Sequence, residues 1–453
     1  MNMIIAGDGH NNIRSTDTLV ESQLIAEYVS RSGVKCQDGL AHLILTNPPF
    51  GTSEGESIPP AVLSQYPVRS TKGQSLFIQK MIGSVHPESL IVTVIDNGVL
   101  NTASYSALRR HIMETCRIEF VVSLPDETFK PNKINVRASV LVLRRRPDDD
   151  VDLADKYDIG VIDIESLGYD GAGNLLRGFR YEQLMQEISA IEQSSLPEDS
   201  FQHGYMWRAF KVNSAMIASD GTHRMDSRYW QPQIRAEINA LRQVASSVTV
   251  EECNTIPTKR GKSPPAAEYV SESEGFALVV KAGSNITKTG CLVPAGDFIE
   301  EPVYREYEKK GLILLDGDIV LSSTGEGTLG KCCVYRNTDE NGESLPAVPE
   351  GHVTVIRVDQ NVIHPEFLCD YLRVGFGYEQ MMRLFTGTTG LIELTPDDVD
   401  QIVVPKFPSL NKQKQLSEAL RKGEAENAAT LEGAANKLKD AKVAFRERTR
   451  GIK

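Results

Sequence analysis

The sequence predicts an α/β region over residues 1–192, built on a largely parallel sheet, and then an α+β region over 226–410 with a long helix after it. Three observations carry this. Short apolar runs alternate with amphipathic stretches in the first third of the chain, as strands joined by helices do. Beyond Arg224 the runs become short and are punctuated by Gly and Pro, the mark of tighter β structure. From Asn411 to about Arg448 there is no Pro, and Ala, Leu, Lys and Glu dominate, which predicts one continuous helix.

The elements follow in chain order. Leu43–Leu45, Leu90–Ile95, Phe120–Ser123 and Ser139–Leu143 read as buried strands, with helices near Gln74–Ser84 and Ser104–Thr115. Arg144–Asp150 is a charged break, and Tyr157–Ile164 gives one more strand. Residues 166–178 are Gly-rich and loop-like, a helix spans Tyr181–Ile191, and 193–225 reads as a linker around the polar, Pro-containing stretch Ser194–Asp199. Further on, Ala277–Lys281, Leu312–Leu314, Asp318–Ser322, Lys331–Tyr335 and His352–Val358 read as short strands, and Pro365–Arg383 as helical. On the last helix, Leu416, Leu420, Leu431, Ala435 and Leu438 recur at helical spacing, interrupted at Asn427. That seam is expected to pack on its own domain or on a partner helix over 411–448.

Composition narrows the function classes. At 453 residues two or three domains are expected, and 40% hydrophobic with 24% charged residues is ordinary for a globular protein. No apolar stretch approaches the roughly 20 residues needed to span a bilayer, and the N-terminus lacks a secretory pattern. The seven cysteines, at 36, 116, 253, 291, 332, 333 and 369, form no Cys-x-x-Cys, so no metal site and no disulfide framework is expected, and a reducing cytoplasm fits. A net charge of −12 argues against an unspecific nucleic-acid coat, though basic groups can still cluster locally. From Pro405 onward 12 Lys/Arg face 6 Asp/Glu, so the tail is basic.

The chemistry-bearing stretch is Asn47-Pro48-Pro49-Phe50, directly after the first strand. Open parallel sheets bind ligands at the C-terminal edges of their strands, where this stretch would lie. Asn offers a side-chain carbonyl acceptor. Pro48 has a fixed φ, so its carbonyl has little freedom to turn away. Phe50 offers a flat face on which a nucleobase can stack. Alone, the Pro-Pro pair also reads as a strand terminator, and such a tetrapeptide arises by chance in roughly one or two of a hundred chains this long. Context decides.

That context is a family resemblance. His42–Gly51, HLILTNPPFG, resembles motif IV of amino-methyltransferases acting on DNA adenine, in particular the modification subunits of type I restriction-modification systems. Gln74–Gln79 resembles the helix that follows the catalytic loop in that family. Ser89–Leu100, SLIVTVIDNGVL, resembles the next strand and its exit, where the family reads closer to VVPDGVL. Phe120–Leu143 resembles the strand–loop–strand that completes the target-base pocket, with Phe129 as its second aromatic; a core Phe beside Pro131 is the plainer reading of that residue. The resemblance implies a partial Rossmann-like methyltransferase sheet, S-adenosylmethionine as cofactor, and adenine N6 methylation in double-stranded DNA. A flipped-out base would stack on Phe50, and its amino hydrogens would bond Asn47 and the Pro48 carbonyl. Asp17, within Asn12–Leu19, matches the segment that places an acidic residue near the cofactor adenine. His42 stands where the family has Asp and reads as a structural histidine.

Gly7-Asp8-Gly9-His10 is a poor counterpart of the family's Gly-rich cofactor loop, so the resemblance implies a methyltransferase domain without its N-terminal half. It follows that activity would require a companion polypeptide or an upstream stretch. The alternative is a non-catalytic DNA-binding specificity subunit. Over 226–445 the chain resembles a target recognition domain and spacer helix of a type I specificity subunit, carried by GDIVLSSTGEGTLGKCCVY, HVTVIRV and FTGTTGLIELTPDDVDQIVVPKFPSLNKQKQL. The fusion resembles single-chain type IIG enzymes.

Gly325–Lys331 satisfies both G-x-G-x-x-G and G-x-x-x-x-G-K, but Cys332 stands where a phosphate loop needs Ser or Thr. The residues that follow are strand-like, not helical, so a tight turn between strands is expected. Ser322, Ser323, Thr324 and Lys331 are then candidate contacts to DNA, or simply parts of a hairpin.

Overall fold

The computed structural model describes residues 17–20, 40–51, 53–147, 156–244, 246–338, 341–388, 391–405 and 409–450. The chain divides into two compact units, Met1–Ala236 with Thr386–Leu391, and Glu237–Phe385 with Ile392–Lys453.

The first unit is organised on a seven-stranded sheet of order β1-β2-β4-β3-β5-β7-β6. Its strands are β1 (Ala41–Thr46), β2 (Val85–Asp96), β3 (Cys116–Ser123), β4 (Ala138–Arg145), β5 (Asp158–Ile164), β6 (Gln202–Gly204) and β7 (Trp207–Asn213). Helices α1 (Gly73–Ile82), α2 (Asn97–Asn101), α3 (Ser106–Thr115) and α4 (Tyr181–Ser189) accompany it. The main core joins Ile78 and Ile82 of α1 and Leu108 and Ile112 of α3 to Ile91, Ile95, Ile118, Val121 and Leu141 of the sheet.

The sheet is mixed, not largely parallel. Within this sheet, among the described residues, β1–β2 and β3–β5 are parallel and β2–β4, β3–β4, β5–β7 and β6–β7 are antiparallel. The physical reason lies in the connections. Residues 124–137 join β3 to β4 with a single 3-10 turn, Lys130–Asn132, and no helix to carry the chain across a sheet face, so β4 returns antiparallel beside β3. Residues 193–225 are likewise not a free linker. They supply β6 and β7, and β7 buries Trp207 and Ala209 on one face and Phe210 and Val212 on the other. Their polar flanks hid a strand whose pattern is apolar only from Trp207 onward.

Arg109 is a second surprise of this unit. It is fully buried in α3, and its guanidinium donates to the carbonyls of Val99, Thr102, Thr222 and His223. One cation thereby ties the end of α2 to the segment after β7, and satisfied donors make its burial tolerable. Beside it, Arg224 forks onto the buried Asp226 with two bonds of 2.9 Å.

The second unit holds a four-stranded sheet built from β8 (Lys259–Arg260), β11 (Ile319–Ser322), β12 (Cys332–Val334) and β14 (Val353–Ile356), in the order β12-β11-β14-β8. A three-stranded sheet combines β9 (Ala277–Val280), β10 (Phe298–Ile299) and β13 (Ala347–Pro349). The helical stretch expected over Pro365–Arg383 is two helices, α5 (Pro365–Val374) and α6 (Phe376–Leu384), separated at Gly375. Leu312–Leu314 is not a strand. Helix α7 runs over Leu410–Arg450. Of the two expected packings of its apolar seam, the one on its own domain is not seen. Leu416, Leu431 and Leu438 are exposed, and α7 is held instead by polar groups: Gln413 accepts from the His364 amide, Arg421 meets Asp370, and Glu424 pairs with the buried Arg373. Among the described residues, no helix is long and apolar enough to cross a membrane.

Candidate active site

The site grows out of the C-terminal ends of β1 and β2. These strands run parallel, with Leu43 opposite Leu90 and Thr46 opposite Thr93 at the end of the ladder. Asn47, Pro48, Pro49 and Phe50 follow at once, so the four residues leave the sheet at its edge. Asn47 and Pro49 are exposed, Pro48 is buried and Phe50 is half-buried. A carboxamide thus points out over a backbone anchored by a buried proline ring. Within the described residues β1 is the terminal strand, and its Leu43 and Leu45 are 52% and 69% exposed.

The second wall comes from the β3–β4 connection. Lys133 adopts a left-handed conformation at φ 59°, and the amides of Asn132 and Ile134 both donate to the Phe129 carbonyl. Outside it, Arg137 and Asp126 form a two-bond ion pair at 3.0 and 3.1 Å. The loop so fixed sets the Phe129 ring edge-to-face on Phe50, centroids 5.5 Å apart and planes at 67°. Two aromatics distant in sequence therefore meet beside Asn47, an arrangement favoured for isolated ring pairs as well.

Gln74 holds the loop, and Asp96, Tyr105 and Lys72 lie behind it. Gln74 of α1, 2% exposed, donates from Nε2 to the Pro49 carbonyl at 2.6 Å and accepts at Oε1 from the Asp96 amide at 3.4 Å. The Asp96 carboxylate caps α2 by accepting from the Gly98 amide at 2.6 Å. Burial pushes the Asp96 carboxyl up, against the Gly98 N–H that lowers it. Burial, with the Asp96 charge adding to it, pushes the nearby Tyr105 phenol up to about 12. Lys72 lies 4.4 Å from the Tyr105 ring centre and donates to Ser104. Next to these, Asn97, Asn101, Ser139, Arg137 and Arg228 line a polar cleft of about 180 Å³. There Ser139 donates to Asn97 at 2.7 Å, and Asn101 accepts from the Gly387 amide at 3.1 Å.

The remaining sequence candidates fall elsewhere. Asp17 is exposed, its Oδ1 accepting from the Leu19 amide at 3.0 Å, while Tyr66 donates to the Leu19 carbonyl. Gly7–His10 and residues 12–16 lie outside the described residues. His42 is exposed, its ring 4.6 Å from that of His86, so it does not open a buried strand. In the second unit the glycine loop does run into a strand, β12, as its composition predicts. Ser322 and Ser323, however, are fully buried and cannot meet DNA. Their hydroxyls donate to the carbonyls of Ala282 and His352, the normal fate of a buried hydroxyl. Thr324 and Lys331 are half-buried at the loop's mouth, with Thr324 bonded to His352 Nδ1 at 2.9 Å.

A sequence model described as N-6 DNA methylase matches residues 1–232. The chain belongs to this family. Its relatives include the methylase subunit of the type I restriction enzyme EcoKI from Escherichia coli K12, 28% identical over 132 residues, which are 28% of this chain and 23% of that protein. The StySJI methylase subunit of Salmonella typhimurium LT2 is 31% identical over 91 residues, 20% of this chain and 16% of its own. The chain thus spans less than a quarter of the length of the curated relatives it matches. Among solved structures, the EcoKI M protein aligns with 51% of this chain and 52% of its own at 16% identity and a TM-score of 0.36. The type IIG restriction endonuclease BpuSI covers 79% of this chain and 45% of its own at 11% identity and a TM-score of 0.34.

Within this methylase-family chain, Gln74, Asp96 and Asn101 are the site residues that sequence reasoning passed over. An amide in a helix reads as surface, and nothing in its spacing reveals that it is buried against a loop. The only signal was position: Gln74 opens the very segment that resembles the helix after the catalytic loop. Membership in a DNA methylase family implies S-adenosylmethionine. Among the described residues, Asn47–Phe50 lie at the open end of β1 with Asn47 exposed, and Asp17 is an exposed carboxylate whose Oδ1 accepts from the Leu19 amide.

Proposed function

We propose that this chain is a site-specific adenine DNA methyltransferase of a restriction-modification system, with residues 1–192 supplying the target-base side of the catalytic domain. Residues 226–410 then act as a target recognition domain resembling those of type I specificity subunits, and 411–453 as a spacer helix and tail. The observation that carries the reading is the meeting of Phe50 and Phe129 beside the exposed Asn47 at the end of β1.

The chemistry fits the geometry. Adenine's amino nitrogen is a weak nucleophile because its lone pair is delocalised into the ring. Asn47 Oδ1 and the Pro48 carbonyl, accepting from its two N–H groups, localise that pair and orient it. Phe50 stacks on the extrahelical base and Phe129 braces Phe50 from its edge. S-adenosylmethionine, when bound, supplies an electrophilic methyl group. No covalent enzyme intermediate is required, so positioning accounts for much of the rate.

The open edge of β1 favours a companion. Leu43 and Leu45 present apolar surface on a strand that is terminal among the described residues, and proteins normally cover such an edge. A further polypeptide segment, from a partner or from the same gene, pairs with this edge and brings the rest of the cofactor site, in the cytoplasm where the DNA is. The same edge gives the second reading its footing: alone, the chain is a DNA-binding specificity module. Calorimetry of the purified chain with S-adenosylmethionine tests the division, and micromolar binding would remove the need for a companion.

The decisive experiment expresses the gene with its flanking DNA in a host without adenine methylation and maps modified bases by single-molecule sequencing. N6-methyladenine at one recurring sequence is expected, lost in Asn47→Ala. Unmodified DNA from the wild-type gene overturns the proposal, and 4-methylcytosine in its place moves the target to cytosine.

A further inference from the structure

We infer that Gln74 is the positioning residue of the catalytic loop, acting through the Pro49 carbonyl; this rests on the methyltransferase reading above and extends it. The parallel ladder between β1 and β2 ends at the Thr46–Thr93 pair. Three residues further along each strand stand Pro49 and Asp96. Ordinary backbone could continue the ladder there, but Pro48 and Pro49 have no N–H to donate. The two strand ends would be free to splay just where the loop must hold a base to within a fraction of an ångström.

The Gln74 carboxamide takes over the missing rungs. Its Nε2 donates to Pro49 O at 2.6 Å, and its Oε1 accepts from Asp96 N at 3.4 Å. A single planar amide supplies one donor and one acceptor, the pair of functions that a peptide unit supplies in a ladder. The side chain is 2% exposed and rises from the first turn of α1, which is itself fixed in the core through Leu76, Ile78 and Ile82. Lower on α1, Gln79 does the same for another segment, accepting from the Val68 amide at 2.7 Å and donating to its carbonyl at 3.1 Å. Helix α1 is thus a bracket that hangs two loops on two glutamines. Through Asp96, whose carboxylate caps α2, Gln74 also links the loop to the polar cleft around Asn97. Holding Pro49 O fixes the peptide plane between Pro49 and Phe50, and so sets both the Pro48 carbonyl before it and the Phe50 ring after it.

The substitutions that test this are Gln74→Leu and Gln74→Glu, assayed in the methyltransferase purified from the gene with its flanking DNA. Gln74→Leu removes both bonds; kcat is expected to fall about 10²-fold with the Kd for DNA within twofold of wild type. Gln74→Glu places a carboxylate against the Pro49 carbonyl. Buried beside an acceptor, that carboxyl titrates above its usual range, and only its protonated form can donate to Pro49 O. Relative to wild type at each pH, Gln74→Glu is expected to be nearly inactive at pH 8.5 and to regain at least tenfold by pH 6. A residue that merely filled space would show no such recovery. Equal kcat in Gln74→Leu and wild type overturns the inference. Should Gln74→Leu fail to fold, a Gln74→Glu profile parallel to wild type overturns it alone. No transfer by the wild-type enzyme overturns the methyltransferase reading and this inference together, so the two failures are distinct.

Discussion

Two loops in this chain carry motif-like sequences, and their polar atoms have opposite fates. At Asn47–Phe50 the supporting atoms are consumed and the working ones are open: Pro48 is buried and the Pro49 carbonyl is bound by Gln74, while the Asn47 carboxamide is exposed. At Ser322–Lys331 the order is reversed. The hydroxyls of Ser322 and Ser323 are sealed in the core on backbone carbonyls, and Gly325, Gly327 and Gly330 take positive φ to turn the chain between strands. The first loop is built to present groups, the second to close a hairpin. Bonding already satisfied within the fold, more than the string of residue types, separates a reactive loop from a structural one.

The largest effect that would break this comparison is at Asn47. If its carboxamide is the presented acceptor, Asn47→Ala lowers methyl transfer by about 10²–10³-fold, the loss typical of removing one preorganised hydrogen-bonding group from a reacting centre. DNA affinity, measured by fluorescence anisotropy, stays within twofold because the side chain lies outside the core. Residual activity above a tenth of wild type would remove Asn47 from the chemistry.

Next comes the aromatic pair. Phe50→Ala is expected to weaken binding of a duplex carrying 2-aminopurine at the target position by about 1–3 kcal/mol, the usual worth of one base–aromatic stack. Phe129→Ala removes the brace, and a double-mutant cycle in the same assay should give a coupling of about 0.5–1.5 kcal/mol, as for edge-to-face rings. Strictly additive losses would mean that the 5.5 Å contact does not matter to the base.

How much of this was legible beforehand follows from the same contrast. Strands β1 to β5 could be read because each contains a compact apolar stretch, and the glycine loop because a strand-like sequence follows it. Pairing direction could not, since it depends on whether the link at 124–137 forms a crossover helix, and no single strand records that. β6 and β7 were missed because Gln202–Gly204 is exposed throughout and Trp207 begins the apolar alternation late. Gln74, Ser322 and Arg109 were missed or misjudged for one shared reason. A polar side chain in sequence says which bonds it can make, but not whether the fold has already made them. The seam of α7 shows the same limit: Leu416 and Leu431 are not what holds the helix to its own unit, where Gln413, Arg421 and Glu424 are engaged, and of the two expected packings only the partner helix is left to them.

A smaller effect sharpens the second loop. Ser322→Ala leaves the Ala282 carbonyl without its buried donor and is expected to cost about 1–3 kcal/mol in urea unfolding, with unchanged DNA affinity well below the transition. Weakened DNA binding at full folding would restore Ser322 as a contact.

The smallest effect is expected at Lys331, where the two roles of the glycine loop can still be told apart. Its backbone amide serves the turn by donating to Thr328 O at 3.1 Å, a bond that substitution of the side chain leaves intact. The residue is half-buried at the mouth, on a protein whose net charge of −12 gives DNA no general attraction. A local cation therefore counts only if it touches the duplex, and a phosphate is the first candidate. In that case Lys331→Ala weakens binding equally on cognate and unrelated duplexes, by a few fold, and flattens the plot of log K against log salt by about one unit. A loss confined to the cognate sequence would make Lys331 a reader of bases. An unchanged salt slope would leave the whole loop to the hairpin it closes.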